Sequence, residues 1–127
     1  FTETEKAVWY SHYILWVKCW MTKTPILIIE HDIELVDPIP ASVFANKMAC
    51  LAHDVKDNGN TLLPGGAYFI TPDAAKYLMR VREGDPQTVN SDGWICHVCN
   101  KMGVAYKDHC KQHKDPAVGT TIEHLKR

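Results

Sequence analysis

The sequence predicts an α/β protein in which a mixed sheet is flanked by helices. Two short apolar runs, Ile26–Ile29 and Ala67–Ile70, are typical of buried strands. Segments with helical periodicity precede the first run and follow the second. Helices that alternate with short strands are typical of layered α/β folds. We expect both runs to lie in one sheet, with Ile26–Ile29 as a central strand.

The first helix is predicted to begin at a capping box, Thr2-Glu3-Thr4-Glu5, and to end near Met21. Helical spacing indicates two stripes along it. One stripe is made of aliphatic and small residues. The other is aromatic, and we expect it to pack in the core. Their members are Val8, Ser11, Leu15 and Cys19 in the first stripe, and Trp9, Trp16 and Trp20 in the second.

Three further helices are predicted downstream. The first covers residues 41–53 and follows a proline-rich turn. The second begins after Thr71, which is an N-cap residue followed by Pro72 at the first helical position. The third covers Asp92 to about Met102, and Gly103 ends it before a short strand at 104–106.

Composition limits the class of protein. A chain of 127 residues predicts a single domain, residues 1–127, and 46% hydrophobic with 23% charged residues is ordinary for a globular protein. A net charge of −1 gives no broad footprint for nucleic acid, and no apolar run is long enough to cross a membrane. Five cysteines without a signal peptide favour a reducing, cytoplasmic setting. The chain begins with Phe1, so we expect it to be a fragment or a processed product.

An acidic segment, Glu30-His31-Asp32, directly follows the first apolar run. If the chain stays extended there, Glu30 and Asp32 point to one face and His31 to the other. Two converging carboxylates repel, and a divalent cation relieves that conflict with the oxygen ligands that hard cations prefer. The segment therefore predicts a weak cation site, and the alternative is a solvated strand end.

A second group of residues has the spacing of a zinc site. Cys96-x-x-Cys99 is followed by Cys110-x-x-His113, and thiolates and imidazole suit Zn²⁺. The alternative is that Cys96 and Cys99, three residues apart on a helix, are plain core residues. A zinc-stabilised binding module is therefore one functional hypothesis, and an α/β scaffold without chemistry is another.

Four sequence blocks, taken in order, resemble glycosyltransferase family 25, which includes lipopolysaccharide and collagen galactosyltransferase domains. A Ser-His-x-x-x-Trp helix precedes an apolar strand that ends in acidic residues. A Gly-x-x-Tyr strand with an Ala-Ala helix follows, and then an Asp-initiated helix. The C-terminal VGTTIEH is similar to the tail that closes such domains. The blocks here are SHYILW (11–16), IIEHDIEL (28–35), GGAYFITPDAAKYL (65–78) and NSDGWI (90–95).

The resemblance implies a partial GT-A-like mixed sheet and a metal-dependent glycosyltransferase. Such an enzyme transfers a sugar from a nucleotide-sugar donor to a sugar or other hydroxyl acceptor, with Mn²⁺ or Mg²⁺ as cofactor. The implied site residues are Glu30 and Asp32 for the metal, Asp92 as catalytic base, and Ser11, His12, Gly65 and Gly66 for substrate binding.

Two departures from the family pattern change what is expected. His31 replaces the middle acidic residue of the family motif. Family members also carry a β-α-β nucleotide-binding segment before the Ser-His helix, whereas this chain begins almost at that helix. We therefore expect a fragment with an exposed apolar surface, covered in a homodimer or by a missing N-terminal partner chain, or a domain that is inactive. The family assignment fails if Ile26–Ile29 proves helical or lies at an exposed edge of the sheet.

Overall fold

Helices and short strands alternate along the part of the chain that the structure describes. The structure is a computed structural model that describes residues 3–51, 54–55, 61–62, 66–80, 91–106 and 109–112. The helices are α1 (Glu3–Thr22), α2 (Pro72–Met79) and α3 (Ser91–Met102), with a 3₁₀ turn at Ala41–Ala45. The strands are β1 (Ile26–Ile29), β2 (Ile33–Leu35), β3 (Met48–Cys50), β4 (Asp54–Val55), β5 (Thr61–Leu62), β6 (Ala67–Ile70), β7 (Val104–Ala105) and β8 (Cys110–Gln112).

A four-stranded sheet in the order β1-β6-β3-β7 organises the described part of the chain. Strand β6 is antiparallel to both β1 and β3, whereas β3 and β7 are parallel, so the sheet is mixed. The register pairs Ile26 with Ile70 and Ile29 with Ala67. The prediction of a mixed α/β protein with both apolar runs in one sheet is confirmed.

The position of β1 differs from the prediction. Among the described strands β1 pairs with β6 alone and lies at an edge, so the predicted central position is wrong. The side chain of Ile29 is 41% exposed. A short apolar run indicates which side chains favour burial, but it does not determine whether a second strand pairs with its backbone, which explains the error.

The sheet separates two hydrophobic clusters because successive side chains of a strand point to opposite faces. On β6, Tyr68 and Ile70 join the cluster under the helices, while Ala67 and Phe69 join the other. On β3, Met48 and Cys50 lie on the helix side, and Ala49 lies opposite. The three helices therefore cover one face, and the 3₁₀ turn, β2 and β8 contribute to the other.

Helix α1 turns its aromatic stripe toward the core, as predicted. Its buried residues are Trp9, His12, Trp16 and Cys19, whereas Ser11 is exposed. The aromatic stripe therefore reaches the core, with Trp20 half-buried. The other stripe is divided, because Cys19 is buried and Leu15 packs against the core, whereas Ser11 faces away from it. Large rings bury more apolar area than small side chains, which explains why the helix turns the aromatic face inward.

Of the other three helix predictions, two are confirmed and one is wrong. Helix α2 begins as predicted, because the Thr71 hydroxyl accepts from the Ala74 N–H at 3.5 Å. Helix α3 also matches its prediction to within one residue. The helix predicted over 41–53 is wrong, since a 3₁₀ turn there gives way to β3. Pairing of β3 between β6 and β7 overrides the local helical periodicity.

None of the helices in the described ranges is long and apolar enough to span a lipid bilayer.

Candidate functional site

A buried chain of hydrogen bonds joins α1 to the ends of β1 and β6. The Nε2 atom of His12 lies 3.2 Å from Oε2 of Glu30, and its Nδ1 atom lies 2.6 Å from the Tyr68 hydroxyl. The indole N–H of Trp16 donates to the same hydroxyl at 2.9 Å. His12 and Tyr68 also stack, with ring centroids 5.6 Å apart. Three of the four sequence blocks therefore meet at His12.

The chemistry of the partners fixes the direction of each hydrogen bond for a neutral imidazole. An ionised Glu30 can only accept, so Nε2 of His12 carries the hydrogen. Nδ1 is then an acceptor, and the Tyr68 hydroxyl donates to it. Because an indole N–H can only donate, Trp16 supplies the hydrogen bond to the Tyr68 oxygen. The tautomer follows from these donor and acceptor roles.

The acidic segment forms a turn, not an extension of β1. The strand ends at Ile29, and the Ile33 N–H donates to the Glu30 carbonyl at 3.0 Å across the turn. The Glu30 N–H donates to the Gly66 carbonyl at 2.8 Å. The alternation that was expected to place Glu30 and Asp32 on one face therefore does not apply. Asp32 is 7% exposed, whereas His31 is exposed.

The remaining predicted site residues are spread over the chain. Ser11 is exposed, and its hydroxyl donates to the Ala7 carbonyl at 2.9 Å. Gly66 is buried and lies beside Glu30, while Gly65 lies outside the described residues. Asp92 is the second residue of α3, and its side chain also lies outside the described part. The structure thus brings together His12, Glu30 and Gly66.

Sequence reasoning missed the roles of Tyr68 and Trp16. Tyr68 is the tyrosine of the Gly-x-x-Tyr block, and it is completely buried. Trp16 is four residues after His12, a spacing that places both side chains on one face of a helix. That spacing could have indicated that Trp16 lies beside His12. The contact of Trp16 with Tyr68 spans 52 residues, so no local sequence pattern indicates it.

The cysteines of the predicted zinc motif lie on different sides of the sheet. Cys99 packs in the helix-side cluster and Cys110 in the opposite one. A hydrogen bond from the Cys50 thiol holds the pKa of Cys99 below its usual range, and the same bond, with burial, raises the pKa of Cys50. Burial raises the pKa of Cys110 to about 11. His113 lies outside the described residues, and within the described ones no three potential ligands form a metal-binding group.

Thiol labelling tests this arrangement. Cys96 is partly exposed and the other four cysteines are buried, so a disulfide reagent such as DTNB is expected to label about one thiol quickly in the folded protein. Cys96→Ser should remove that fast phase, whereas Cys110→Ser should leave it unchanged. Urea should expose the remaining thiols. A fast phase of two or more thiols would contradict the burial of Cys99 and Cys110.

Comparison with protein-family models, with curated proteins and with solved structures gave no match for this chain.

Proposed function

We propose that this chain is a glycosyltransferase-like domain that transfers a sugar from a nucleotide-sugar donor to a hydroxyl acceptor with the help of a divalent cation. The observation that supports this most is the contact of His12 with both Glu30 and Tyr68. Each of these residues belongs to a different block of the resemblance.

The residue types of the acidic turn suit the implied cation. Glu30 and Asp32 offer carboxylate oxygens, which Mg²⁺ and Mn²⁺ prefer, and the Glu30 side chain is 33% exposed. A cation held there would supply Lewis-acid stabilisation of a diphosphate leaving group. In this proposal Asp92 accepts the proton of the acceptor hydroxyl, and Gly65 and Gly66 allow close approach of the sugar. Ser11, which is exposed on α1, is assigned to the substrate side.

The edge position of β1 counts against the family assignment unless strands of another chain pair with that edge. It leaves one side of the strand without a partner in the described part of the chain, which is where the nucleotide-binding strands implied by the resemblance would have to pair. Helix α1 also carries large exposed apolar side chains at Tyr10, Ile14 and Met21. Such surfaces usually mark contacts with other chains. We therefore include a homodimer or an N-terminal partner chain in the proposal.

Cation and nucleotide binding test the proposal directly. Titration calorimetry with Mn²⁺ is expected to show weak binding that a nucleoside diphosphate strengthens. Asp32→Asn, which keeps the shape and removes one charge, should weaken Mn²⁺ binding about tenfold or more. Asp37→Asn is the matched control, because Asp37 is exposed beyond β2 and should not affect binding. Thermal melting of each variant separates lost binding from lost folding.

The outcomes distinguish the functional hypotheses. The transferase proposal is contradicted if the wild-type protein fails to bind Mn²⁺ in the presence of every nucleoside diphosphate tried, namely those of uridine, guanosine, cytidine and adenosine. Equal binding by Asp32→Asn would contradict the assignment of that residue. Zn²⁺ that copurifies at one equivalent, and is lost in Cys96→Ser, would instead support the zinc-stabilised module.

A further inference from the structure

We infer that His12, Tyr68 and Trp16 are positioning residues, which hold the Glu30 carboxylate in one orientation at the end of β1. This inference rests on the proposed function where it concerns a cation, but the hydrogen-bond relay is testable without one. It assigns His12 a different role from the substrate contact that the family resemblance implies.

The burial of the relay excludes a substrate from His12. Its side chain is 4% exposed, and Tyr68 and Trp16 are fully buried. Both ring nitrogens of His12 already have partners within the protein, at 2.6 and 3.2 Å. An imidazole offers no third polar atom for a substrate hydroxyl or phosphate. The ring therefore acts through Glu30, its one partly exposed neighbour in the relay.

Glu30 is fixed at its backbone as well as at its side chain. Its N–H donates to the Gly66 carbonyl at 2.8 Å, and its carbonyl accepts from the Ile33 N–H at 3.0 Å. Fixing a glutamate side chain in one rotamer costs conformational entropy. If the side chain is already fixed before a cation binds, that cost does not reduce the binding free energy. Here the His12 contact at Oε2 supplies this order.

The Glu30 carboxylate keeps capacity for a further partner. An ionised carboxyl group has about four lone-pair positions, and His12 occupies one of them. The side chain is also one-third exposed, so water or a cation can reach it. A buried histidine that donates to a metal-ligating carboxylate belongs to the outer contacts that typically change metal affinity by about 10–100-fold when they are removed.

The decisive variant is Tyr68→Phe, which removes the hydroxyl that donates to Nδ1 and keeps the ring. Without that donor the imidazole keeps its hydrogen on Nε2, because the Glu30 carboxylate still accepts it, but Nδ1 loses its partner and the ring is held at one nitrogen instead of two. Tyr10→Phe is the matched control, because the Tyr10 ring is exposed on α1. Trp16→Phe is a second variant, which removes the donor to the Tyr68 oxygen and covers the case in which Tyr68→Phe does not fold.

Two measurements are needed on each variant. The first is the ¹⁵N NMR spectrum of the imidazoles, with His12 assigned by its loss in His12→Gln. Wild type should show the Nε2–H tautomer, and Tyr68→Phe should move the resonance of the unprotonated Nδ1, because that nitrogen no longer accepts a hydrogen bond. The second is titration with Mn²⁺ and a nucleoside diphosphate, in which Tyr68→Phe should bind about tenfold more weakly and Tyr10→Phe should match wild type.

Each measurement tests a different part of the inference: the NMR spectrum tests the hydrogen-bond relay, and the titration tests the positioning role. A wild-type Nδ1–H tautomer, or an Nδ1 resonance that Tyr68→Phe leaves unchanged, would overturn the relay whether or not Mn²⁺ binds. Unchanged Mn²⁺ affinity in both variants, with wild type binding well, would overturn the positioning role. A wild type that binds no Mn²⁺ but shows the expected tautomer would overturn the proposed function and its cation, while the relay to Glu30 stands.

Discussion

Replacing Trp16 with alanine is expected to lower the free energy of unfolding by about 3–5 kcal/mol, the range typical of large-to-small changes at fully buried aromatic positions. Trp16 is completely buried, and its ring meets that of Trp9 edge-on with centroids 5.5 Å apart and that of Tyr13 at 6.2 Å. Alanine would leave a cavity between α1 and β6 and would also remove the donor to the Tyr68 hydroxyl. Domains of this size have small total stabilities, so the variant should be largely unfolded under mild heating.

Two companion variants separate packing from hydrogen bonding. Trp16→Phe keeps a ring and removes the indole N–H, so it should lose about 1–3 kcal/mol, since it leaves a smaller cavity and one less hydrogen bond. Trp20→Ala is the matched control on the same helix, because Trp20 is half-buried and Lys23 covers its ring, and it should lose less than Trp16→Ala. Urea unfolding followed by circular dichroism measures all three. A loss below about 1 kcal/mol for Trp16→Ala would contradict the core packing described here.

Local chemistry accounts for the elements that the sequence predicted well. Thr71 followed by Pro72 specifies where a helix begins, and the structure shows the Thr71 hydroxyl in the capping position. The runs Ile26–Ile29 and Ala67–Ile70 each have four apolar residues, and both form strands with those bounds. In each case the information lies within a few neighbouring residues, where propensity and capping act.

Long-range pairing accounts for the errors. Met48–Cys50 carries no alternating pattern that would distinguish it from the end of a helix, yet β6 and β7 pair with it from 18 or more residues away. The same limit explains why the edge position of β1 was not predicted, because a strand's own side chains do not specify which strands lie beside it. The whole sheet determines which strands pair, and this pairing overrides the local periodicity of a segment.

The candidate site shows both kinds of information. Glu30 was selected from the sequence because carboxylates at the end of an apolar strand need an explanation. That His12 supplies its hydrogen-bond partner follows from α1 crossing the sheet, and the two residues are 18 positions apart. Tyr68 is 56 positions from His12, so its contribution became visible only in three dimensions. Residue types were therefore predictable, and their contacts were not.

Gly103→Ala is expected to lower the free energy of unfolding by about 1–3 kcal/mol, the usual effect of added volume in a packed region. Gly103 lies between α3 and β7, where its N–H donates to the Cys99 carbonyl at 2.8 Å. A methyl group at this position would lie 2.7 Å from the backbone oxygen of Met48 and 3.0 Å from its Cβ atom. Met48 is fully buried and pairs with Ile70 in β6, so its backbone can move only if the sheet moves with it.

The matched control for Gly103→Ala is the same substitution at Gly93, which is exposed in the first turn of α3. Alanine favours a helix over glycine by about 0.5–1 kcal/mol, so Gly93→Ala should leave stability unchanged or raise it. Opposite signs for the two substitutions in urea unfolding would indicate that the cost at Gly103 comes from the contact with Met48, because Gly103 does not have a positive φ that would by itself disfavour alanine. If Gly103→Ala proves as stable as wild type, then α3 and β3 do not approach as closely as described. The parallel pairing of β3 with β7, which that approach brings about, would then be in doubt as well.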